Sequence, residues 1–355
     1  MSRYLLQRYQ SMKAYVPGEQ PRDMQYIKLN TNESPFPPAP EVVAALTEED
    51  IAALRLYSDP TGRELKEKLA QLYGLQNQNI FLANGSDDIL NFAFMGFAPE
   101  AGAVFPDITY GFYPVFAQLH QVPYTQIPLK DDFSVDYREY CGCGKMVVLA
   151  NPNAPTGMSI PLWQIEEILK TNPDTVVVID EAYVDFGGES AYPLIETYSN
   201  LLVVRTFSKS RSMAGARLGY AFGCRELIED LQKLQYSTNP YNVNRLTLSL
   251  GVATVEAQAY YEKMCREIMR VREWTGEELK KLGFQVFPSQ TNFLFAGKPG
   301  LNGAGYYEAL KKRGILVRHF SQSRIEDFVR ITIGTQEQME AFLEKTKEIL
   351  REEGL

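Results

Sequence analysis

The chain has 355 residues, 45% hydrophobic and 23% charged, a composition typical of a globular protein with one large and one smaller domain. Its net charge of −8 argues against nucleic acid as the main partner, so an anionic ligand would need a local cluster of arginines. The four cysteines are scattered, no signal peptide is apparent, and no apolar run approaches the ~18 residues of a membrane helix; we therefore expect reduced thiols, no metal, no membrane contact and a soluble cytoplasmic protein.

In chain order, residues 1–40 come first; they are polar, rich in proline and poorly periodic, which predicts an extended N-terminal arm. Helical and strand patterns then alternate. They predict helices over 63–73 and 86–97, and strands over 80–83, 146–150, 175–179 and 201–207. Continuous apolar runs without alternation are typical of strands covered by helices on both faces, so the prediction is an α/β fold with a mostly parallel sheet.

The C-terminal part has its own alternation of patterns. A long amphipathic helix is predicted over about 252–282, followed by strands at 284–287, 293–295, 315–318 and 328–333, a helix near 306–312 and a final helix. Because the long helix separates this alternation from the first, we predict a smaller α/β domain. The expected division is an arm of residues 1–40, a large domain of 41–265 and a small domain of 266–355.

Lys209 follows Ser208 at the end of the buried strand over 201–207. An imine-forming lysine beside a phosphate site would explain this pair, with Ser208 and a nearby arginine binding the phosphate; a solvated lysine at a strand end is the alternative. Arg217 comes eight residues later, among small residues, and can fork onto phosphate oxygens.

Polar residues also follow the other buried strands. Asp180 and Tyr183 come after 175–179, at the edge where α/β sheets bind ligands. Asp180 could pair with a protonated ring nitrogen and Tyr183 with a phenolic oxygen of that ring, although Asp180 could equally cap the next segment. In the turn 151–157, Asn153 lies between two prolines and could present its amide to a cofactor oxygen; a rigid turn is the alternative.

The segment 84–88 joins a strand to a helix, where free N–H groups and the helix dipole favour a phosphate, together with an N-cap by Ser86. Downstream, Tyr110 could stack on a flat ring, although an aromatic residue at a helix start usually belongs to the core. Arg330 is a lone cation in the apolar strand 328–333. It needs a partner, which would be a substrate carboxylate or phosphate, or else an internal acid.

Together these stretches resemble the fold-type I (class I/II) pyridoxal-phosphate-dependent aminotransferases and, within them, the histidinol-phosphate aminotransferase family. The resemblance covers nearly the whole chain, through segments 30–35, 59–62, 84–88, 151–157, 180–183, 208–209 with Arg217, and 330–335. The arm and segments 315–320 and 330–335 carry the narrower resemblance. It implies a three-layer α/β/α large domain, a smaller C-terminal α/β domain and an N-terminal arm.

The resemblance implies pyridoxal 5'-phosphate as cofactor and catalytic roles for Lys209, which binds its aldehyde, Asp180, which pairs with the ring nitrogen, and Tyr183. The implied cofactor contacts are Ser86, Asp87, Tyr110, Asn153, Asp180, Tyr183, Thr206, Ser208, Lys209, Arg217 and, from the second subunit of a homodimer, Tyr57. The implied substrate contacts are Tyr15, Asn32, Arg318 and Arg330. Relatives usually have proline at Ser58 and glutamate at Asp88, and Ser58 could loosen the presentation of Tyr57.

The implied reaction is transamination between L-histidinol phosphate and 2-oxoglutarate, giving imidazole-acetol phosphate and L-glutamate in histidine biosynthesis, with ping-pong kinetics. The partners would be small anionic amino compounds and keto acids. The alternatives within the superfamily are an aromatic amino acid aminotransferase and a threonine-phosphate decarboxylase. A non-catalytic regulator on the same scaffold is the alternative of a different class. It would require an appended DNA-binding domain, for which residues 1–40 are too short, and a decayed imine site, whereas Lys209 and Asp180 are both present.

Overall fold

The computed structural model of the chain describes residues 2–355. Its α-helices are α1 (Gln7–Gln10), α2 (Pro40–Ala44), α3 (Glu48–Ala52), α4 (Arg63–Tyr73), α5 (Ser86–Gly96), α6 (Tyr113–Leu119), α7 (Leu162–Thr171), α8 (Arg225–Thr238), α9 (Arg245–Glu256), α10 (Gln258–Lys281), α11 (Gly303–Lys312) and α12 (Gln336–Glu353). Its strands are β1 (Ile27–Lys28), β2 (Ile80–Ala83), β3 (Ala103–Pro106), β4 (Tyr124–Ile127), β5 (Met146–Ala150), β6 (Val177–Asp180), β7 (Leu201–Thr206), β8 (Gly219–Gly223), β9 (Gln285–Val286), β10 (Phe293–Gly297), β11 (Ile315–Leu316), β12 (Arg318–His319) and β13 (Phe328–Thr332). Over the described residues, no helix has the length and apolar character needed to span a bilayer.

The large sheet has the strand order β2-β8-β7-β6-β5-β3-β4. The pairs from β7 to β4 are parallel, whereas β8 runs antiparallel to both of its neighbours. Successive residues of a strand point to opposite faces: on β7, Val203 packs with α4 and α7, while Leu202 and Val204 pack with α5 and α8. The strands are therefore covered by helices on both faces, which confirms the predicted α/β class with a mostly parallel sheet.

The order β7-β6-β5 positions the site. These three strands are parallel neighbours, so their carboxyl ends meet at one edge of the sheet. The residues after β5, β6 and β7 are consequently brought side by side, although they are separated in the sequence. The edge of a sheet beyond the carboxyl ends of its strands is the common ligand-binding position in α/β folds.

The C-terminal part forms an antiparallel sheet of order β12-β13-β10-β9, which packs with α10, α11 and α12 in a second core. The arm joins this part, because β1 pairs in parallel with β11 and Leu29 is buried in the same core. A further apolar cluster joins the two parts, with Ile108 and Phe133 on one side and Phe295 and Ile325 on the other. The proposed domain boundaries at residues 40 and 265 stay predictions.

The long helix expected over 252–282 is wrong, because two helices, α9 and α10, cover this region. They meet at Ala257, whose backbone (φ −84°, ψ 27°) departs from the helical conformation. The two helices have different partners, since α9 packs on α2 and α4 while α10 packs on α12. The strand expected over 315–318 is also divided, into β11 and β12, which belong to different sheets.

Candidate active site

A cavity of about 330 Å³ opens where β5, β6 and β7 end. Nine residues predicted from the sequence line it: Ser86, Asp87, Tyr110, Asp180, Tyr183, Thr206, Ser208, Lys209 and Arg217. Lys209 lies three residues beyond β7, and its Nζ donates to the carbonyl oxygen of Thr31 at 3.2 Å. The same Nζ lies 5.8 Å from the centre of the Tyr183 ring. The amine therefore faces a space bordered by acid, hydroxyl and aromatic groups.

Asp180 is the last residue of β6 and is buried. Its Oδ2 accepts a hydrogen bond from Tyr113 Oη at 2.9 Å, and its Oδ1 accepts one from the Ala182 N–H at 3.2 Å. Burial raises the pKa of Asp180 to about 6, against the opposing effect of these two hydrogen bonds. A buried carboxylate in this state would gain from a cationic ring nitrogen in the cavity, which would lower its pKa again.

The start of α5 forms the opposite end of the cavity. Gly85, in the left-handed region (φ 89°), occupies the N-cap position that was predicted for Ser86, and no side chain of the described residues caps the helix. The first N–H groups of the helix, including those of Ser86 and Asp87, lack partners within the helix and can bind an anion. Gly219 approaches closely, since a Cβ there would lie 2.4 Å from Ser86 N.

Two further groups lie at this end. Arg217 adopts a left-handed backbone conformation (φ 54°), which is uncommon for a residue with a side chain, and its Nη2 lies 3.0 Å from Asp87 Oδ2. The hydroxyls of Thr206 and Ser208 lie 3.0 Å apart. An uncapped helix start, two hydroxyls and an arginine fit a phosphate group. With Asp180 at the other end and Lys209 between, the cavity fits a flat cationic ring that carries a phosphate and an aldehyde.

The aromatic residues of the cavity are held by hydrogen bonds. Tyr110 Oη donates to Asp87 Oδ1 at 2.7 Å, and Tyr183 Oη accepts from Asn32 Nδ2 at 2.9 Å. Tyr15 stacks on Phe112 with ring centres 4.0 Å apart, and it is tilted against Tyr110. The tyrosine hydroxyl of residue 183 keeps its own hydrogen free for a ring oxygen.

Asn153 is in a different position from the one expected, since it does not line the cavity. Its Nδ2 donates to Ile108 O and Thr156 Oγ1, each at 3.0 Å, and its Oδ1 accepts from Thr109 Oγ1 at 2.8 Å. Both amide hydrogens are therefore engaged within the protein. In this structure the Asn153 side chain joins its own turn to the loop after β3, and presentation of its amide to a cofactor would require these bonds to be exchanged.

A second cavity, of about 670 Å³, adjoins the first and shares Lys209 and Tyr183 with it. The predicted substrate residues line it: Tyr15, Asn32, Arg318 and Arg330. Arg318 lies near the arm, with Nη2 3.4 Å from Val16 O. The arm, β12 and β13 therefore contribute side chains to one wall.

Arg330 is an unpaired cation in this wall. Its Nη2 donates to Asn30 O at 2.8 Å, its Nε has no partner, and its guanidinium lies over the rings of Phe293 and Phe320. Burial lowers the pKa of Arg330, and within residues 2–355 no acid contributes to raising it. The internal acid considered as an alternative from the sequence is thus not present among the described residues, which leaves the guanidinium available to an anionic ligand.

Tyr57 lies outside both cavities. It is 77% exposed and stacks on Tyr241 with ring centres 4.4 Å apart. Ser58 is buried, and its Oγ donates to Val243 O at 2.8 Å, so the serine anchors the segment rather than loosening it. The sequence analysis missed Thr31, Glu33 and Tyr113. None of them belongs to a strand-end motif, and a tyrosine buried at a helix start was the available signal for Tyr113. No metal-binding cluster of His, Cys, Asp or Glu occurs among the described residues.

Residues 24–345 match the family model "Aminotransferase class I and II". The chain is 46% identical over 353 residues to a histidinol-phosphate aminotransferase of Brachyspira hyodysenteriae, covering 99% of this chain and 100% of that protein. It is 50% identical over 347 residues to one of a Marinomonas species, covering 96% and 98%. It also resembles the crystal structure of histidinol-phosphate aminotransferase from Sinorhizobium meliloti in complex with pyridoxal-5'-phosphate, with a TM-score of 0.83 and 26% identity over 92% of each chain.

Proposed function

The chain belongs to the class I and II aminotransferases and to their histidinol-phosphate aminotransferase family, and we propose that it transfers the amino group between L-histidinol phosphate and 2-oxoglutarate with pyridoxal 5'-phosphate as cofactor. The products would be imidazole-acetol phosphate and L-glutamate, in a step of histidine biosynthesis. The observation that carries the proposal is the adjacency of two cavities, one with Lys209 between an anion-binding helix start and Asp180, the other with the unpaired Arg330.

When bound, pyridoxal phosphate supplies an aldehyde that takes up amino groups and a protonated ring that withdraws electrons. The uncapped start of α5, the hydroxyls of Thr206 and Ser208, and Arg217 would hold its phosphate. Asp180 would accept a hydrogen bond from the ring nitrogen and keep it protonated. Tyr113 supports this role, because its hydroxyl fixes the carboxylate in one orientation.

Lys209 would act as the base that moves the proton of the substrate α-carbon. Its Nζ now donates to Thr31 O, in the segment that leads from the arm, so the amine is held at the junction of the two cavities. Tyr183 borders the same junction and would donate its free hydroxyl hydrogen to the ring oxygen.

Arg330, with Arg318, Tyr15 and Asn32, would bind the anionic group of the substrate. Histidinol phosphate carries a phosphate and glutamate a carboxylate, so both could pair with the same guanidinium. An arginine suits this double use, because its planar fork can bind either group with two parallel hydrogen bonds.

We further propose a cytoplasmic homodimer in which Tyr57 of each subunit reaches the cofactor phosphate of the other. The exposure of Tyr57 supports this, as do the exposed apolar residues near it, Val43, Ile51, Leu54 and Leu56. Hybrid dimers of Tyr57→Ala and Lys209→Ala subunits test it. If Tyr57 acts across the interface, each hybrid has one site with both native residues, and mixing two inactive variants should restore activity. Additive residual rates would contradict the exchange.

The substrate proposal is tested by adding L-histidinol phosphate to the holoenzyme without any keto acid. We expect loss of the visible absorption of the bound cofactor, stoichiometric release of imidazole-acetol phosphate, and recovery of the absorption on adding 2-oxoglutarate. Release of CO2 from threonine phosphate would instead indicate the decarboxylase. A response to aromatic amino acids alone would refute the substrate and leave the aminotransferase class intact.

A further inference from the structure

A buried ion cluster lies directly behind the cavity, around Arg205 of β7. The guanidinium Nε lies 3.2 Å from Glu181 Oε2, and Nη2 donates to Asp185 Oδ1 at 3.1 Å. On its other side, Nη1 donates to Tyr73 Oη at 2.7 Å. Arg205 is 5% exposed and Glu181 2%, so these ion pairs are shielded from solvent and weakly screened. None of these side chains lines either cavity.

Each acid of this cluster adjoins a segment of the site. Glu181 directly follows Asp180 at the end of β6. Asp185 uses its second oxygen, Oδ2, to accept a hydrogen bond from Ser210 Oγ at 2.5 Å, and Ser210 directly follows Lys209. One guanidinium thus connects the end of β6, the turn after it, and the loop that carries the lysine.

The loop after β7 depends on such a connection. Residues 207–213 form turns and bends rather than a helix or strand, so no regular hydrogen-bond ladder fixes the position of Lys209 relative to β6. The link from Ser210 through Asp185 to Arg205 supplies a fixed tether. The amine and the Asp180 carboxylate must address one and the same ring, so the distance between their backbones matters for the reaction.

We propose that Arg205 is a positioning residue, which sets the place of Lys209 relative to Asp180 through Asp185 and Ser210. The inference rests on the proposed function, since it assumes that Lys209 is the proton-transferring base. Buried ion clusters add little stability over well-packed apolar groups of similar size, because desolvation of the charges offsets their attraction. A role in orientation accounts for the cluster better than a role in stability.

The test compares Ser210→Ala, which cuts the tether to the lysine loop, with Tyr73→Phe, which removes one hydrogen bond from the opposite side of the same guanidinium. The holoenzymes are mixed with saturating L-glutamate, and the single-turnover loss of cofactor absorption is followed together with cofactor content and Tm. We expect Ser210→Ala to react about 10-fold more slowly with unchanged cofactor content and KM, because misplacement by a fraction of an ångström already slows catalysis. Tyr73→Phe should stay within about twofold of the native rate.

Equal rates in the two variants, or a rate loss in Ser210→Ala that only parallels a loss of bound cofactor, would overturn the positioning role. Arg205→Lys adds a second measurement if it folds, since a compact ammonium cannot bridge both acids, and we expect a loss on the order of 100-fold in the same step. Native enzyme that reacts with glutamate but not with histidinol phosphate would refute only the proposed substrate. Native enzyme that reacts with no amino donor would refute the proposed function and this inference with it.

Discussion

Replacing Arg330 by methionine should separate activity from stability. The native guanidinium makes one hydrogen bond, to Asn30 O, and lies over two phenylalanine rings, but within the described chain it has no acid to neutralise it. We expect Arg330→Met to fold at least as stably as the native protein and to lose most of its activity towards anionic substrates.

The magnitudes follow from these contacts. The substitution removes one hydrogen bond, worth about 1 kcal/mol, and two cation–ring contacts of about 0.5–1 kcal/mol each. It also removes the desolvation penalty of a buried unpaired charge, which is several kcal/mol, so the free energy of unfolding should not decrease. Two charge-assisted hydrogen bonds to the substrate are worth at least about 3 kcal/mol together, which predicts a fall in kcat/KM on the order of 100-fold.

The assay pairs Arg330→Met with Arg272→Met as a matched control. Arg272 is also buried, but it donates to Phe186 O at 2.9 Å and Thr291 O at 2.7 Å, and it pairs with Glu273. Arg272→Met should lower Tm and leave kcat/KM per folded enzyme nearly unchanged. If Arg330→Met also lowers Tm while kcat/KM towards histidinol phosphate and glutamate is retained, Arg330 is a structural cation and the assignment is wrong.

Two further variants address the cofactor site. Lys209→Ala should retain cofactor but turn over no amino acid, and borohydride, which should fix cofactor to Lys209 in the native enzyme, should label no other residue; label elsewhere would refute the assignment. Asp180 has a folded pKa raised from 3.8 to about 6. The folded apoprotein therefore binds the extra proton between about pH 4 and 6, and its stability falls as pH rises through that window. Asp180→Asn should remove this loss, equivalent to about 3 kcal/mol, in urea denaturation at pH 7 relative to pH 4; parallel curves would contradict it.

The strand-end residues could be predicted because the sheet topology itself assembles them. Lys209 and Asp180 each follow a continuous apolar run, and parallel neighbouring strands place such residues at one edge. Tyr113 and Thr31 could not be found this way. They reach the cavity through α6 and the arm, whose positions depend on tertiary packing rather than on any local pattern. The break at Ala257 escaped for a similar reason, because both helices continue one amphipathic pattern and only their different packing partners separate them.

Asn153 shows the limit of arguing from a motif alone. The two prolines around it do form a rigid turn, but rigidity leaves the direction of the amide open. In the structure that direction is decided by acceptors from the loop after β3. Those acceptors are more than 40 residues away in the sequence, and nothing near the turn announces them.

The two cavities share one physical property, which is that each retains polar groups the protein does not satisfy. The start of α5 has no side-chain cap within residues 2–355, Asp180 is a buried carboxylate without a cationic partner in contact, and Arg330 is a buried cation without an anion. Each feature reduces the stability of the unliganded chain. Each is also opposite in charge to the ligand group that would fill it: a phosphate, a ring nitrogen and a substrate anion. Because three unsatisfied groups of matching sign and position are unlikely to arise from packing alone, their combination supports the proposed reaction more strongly than any single residue.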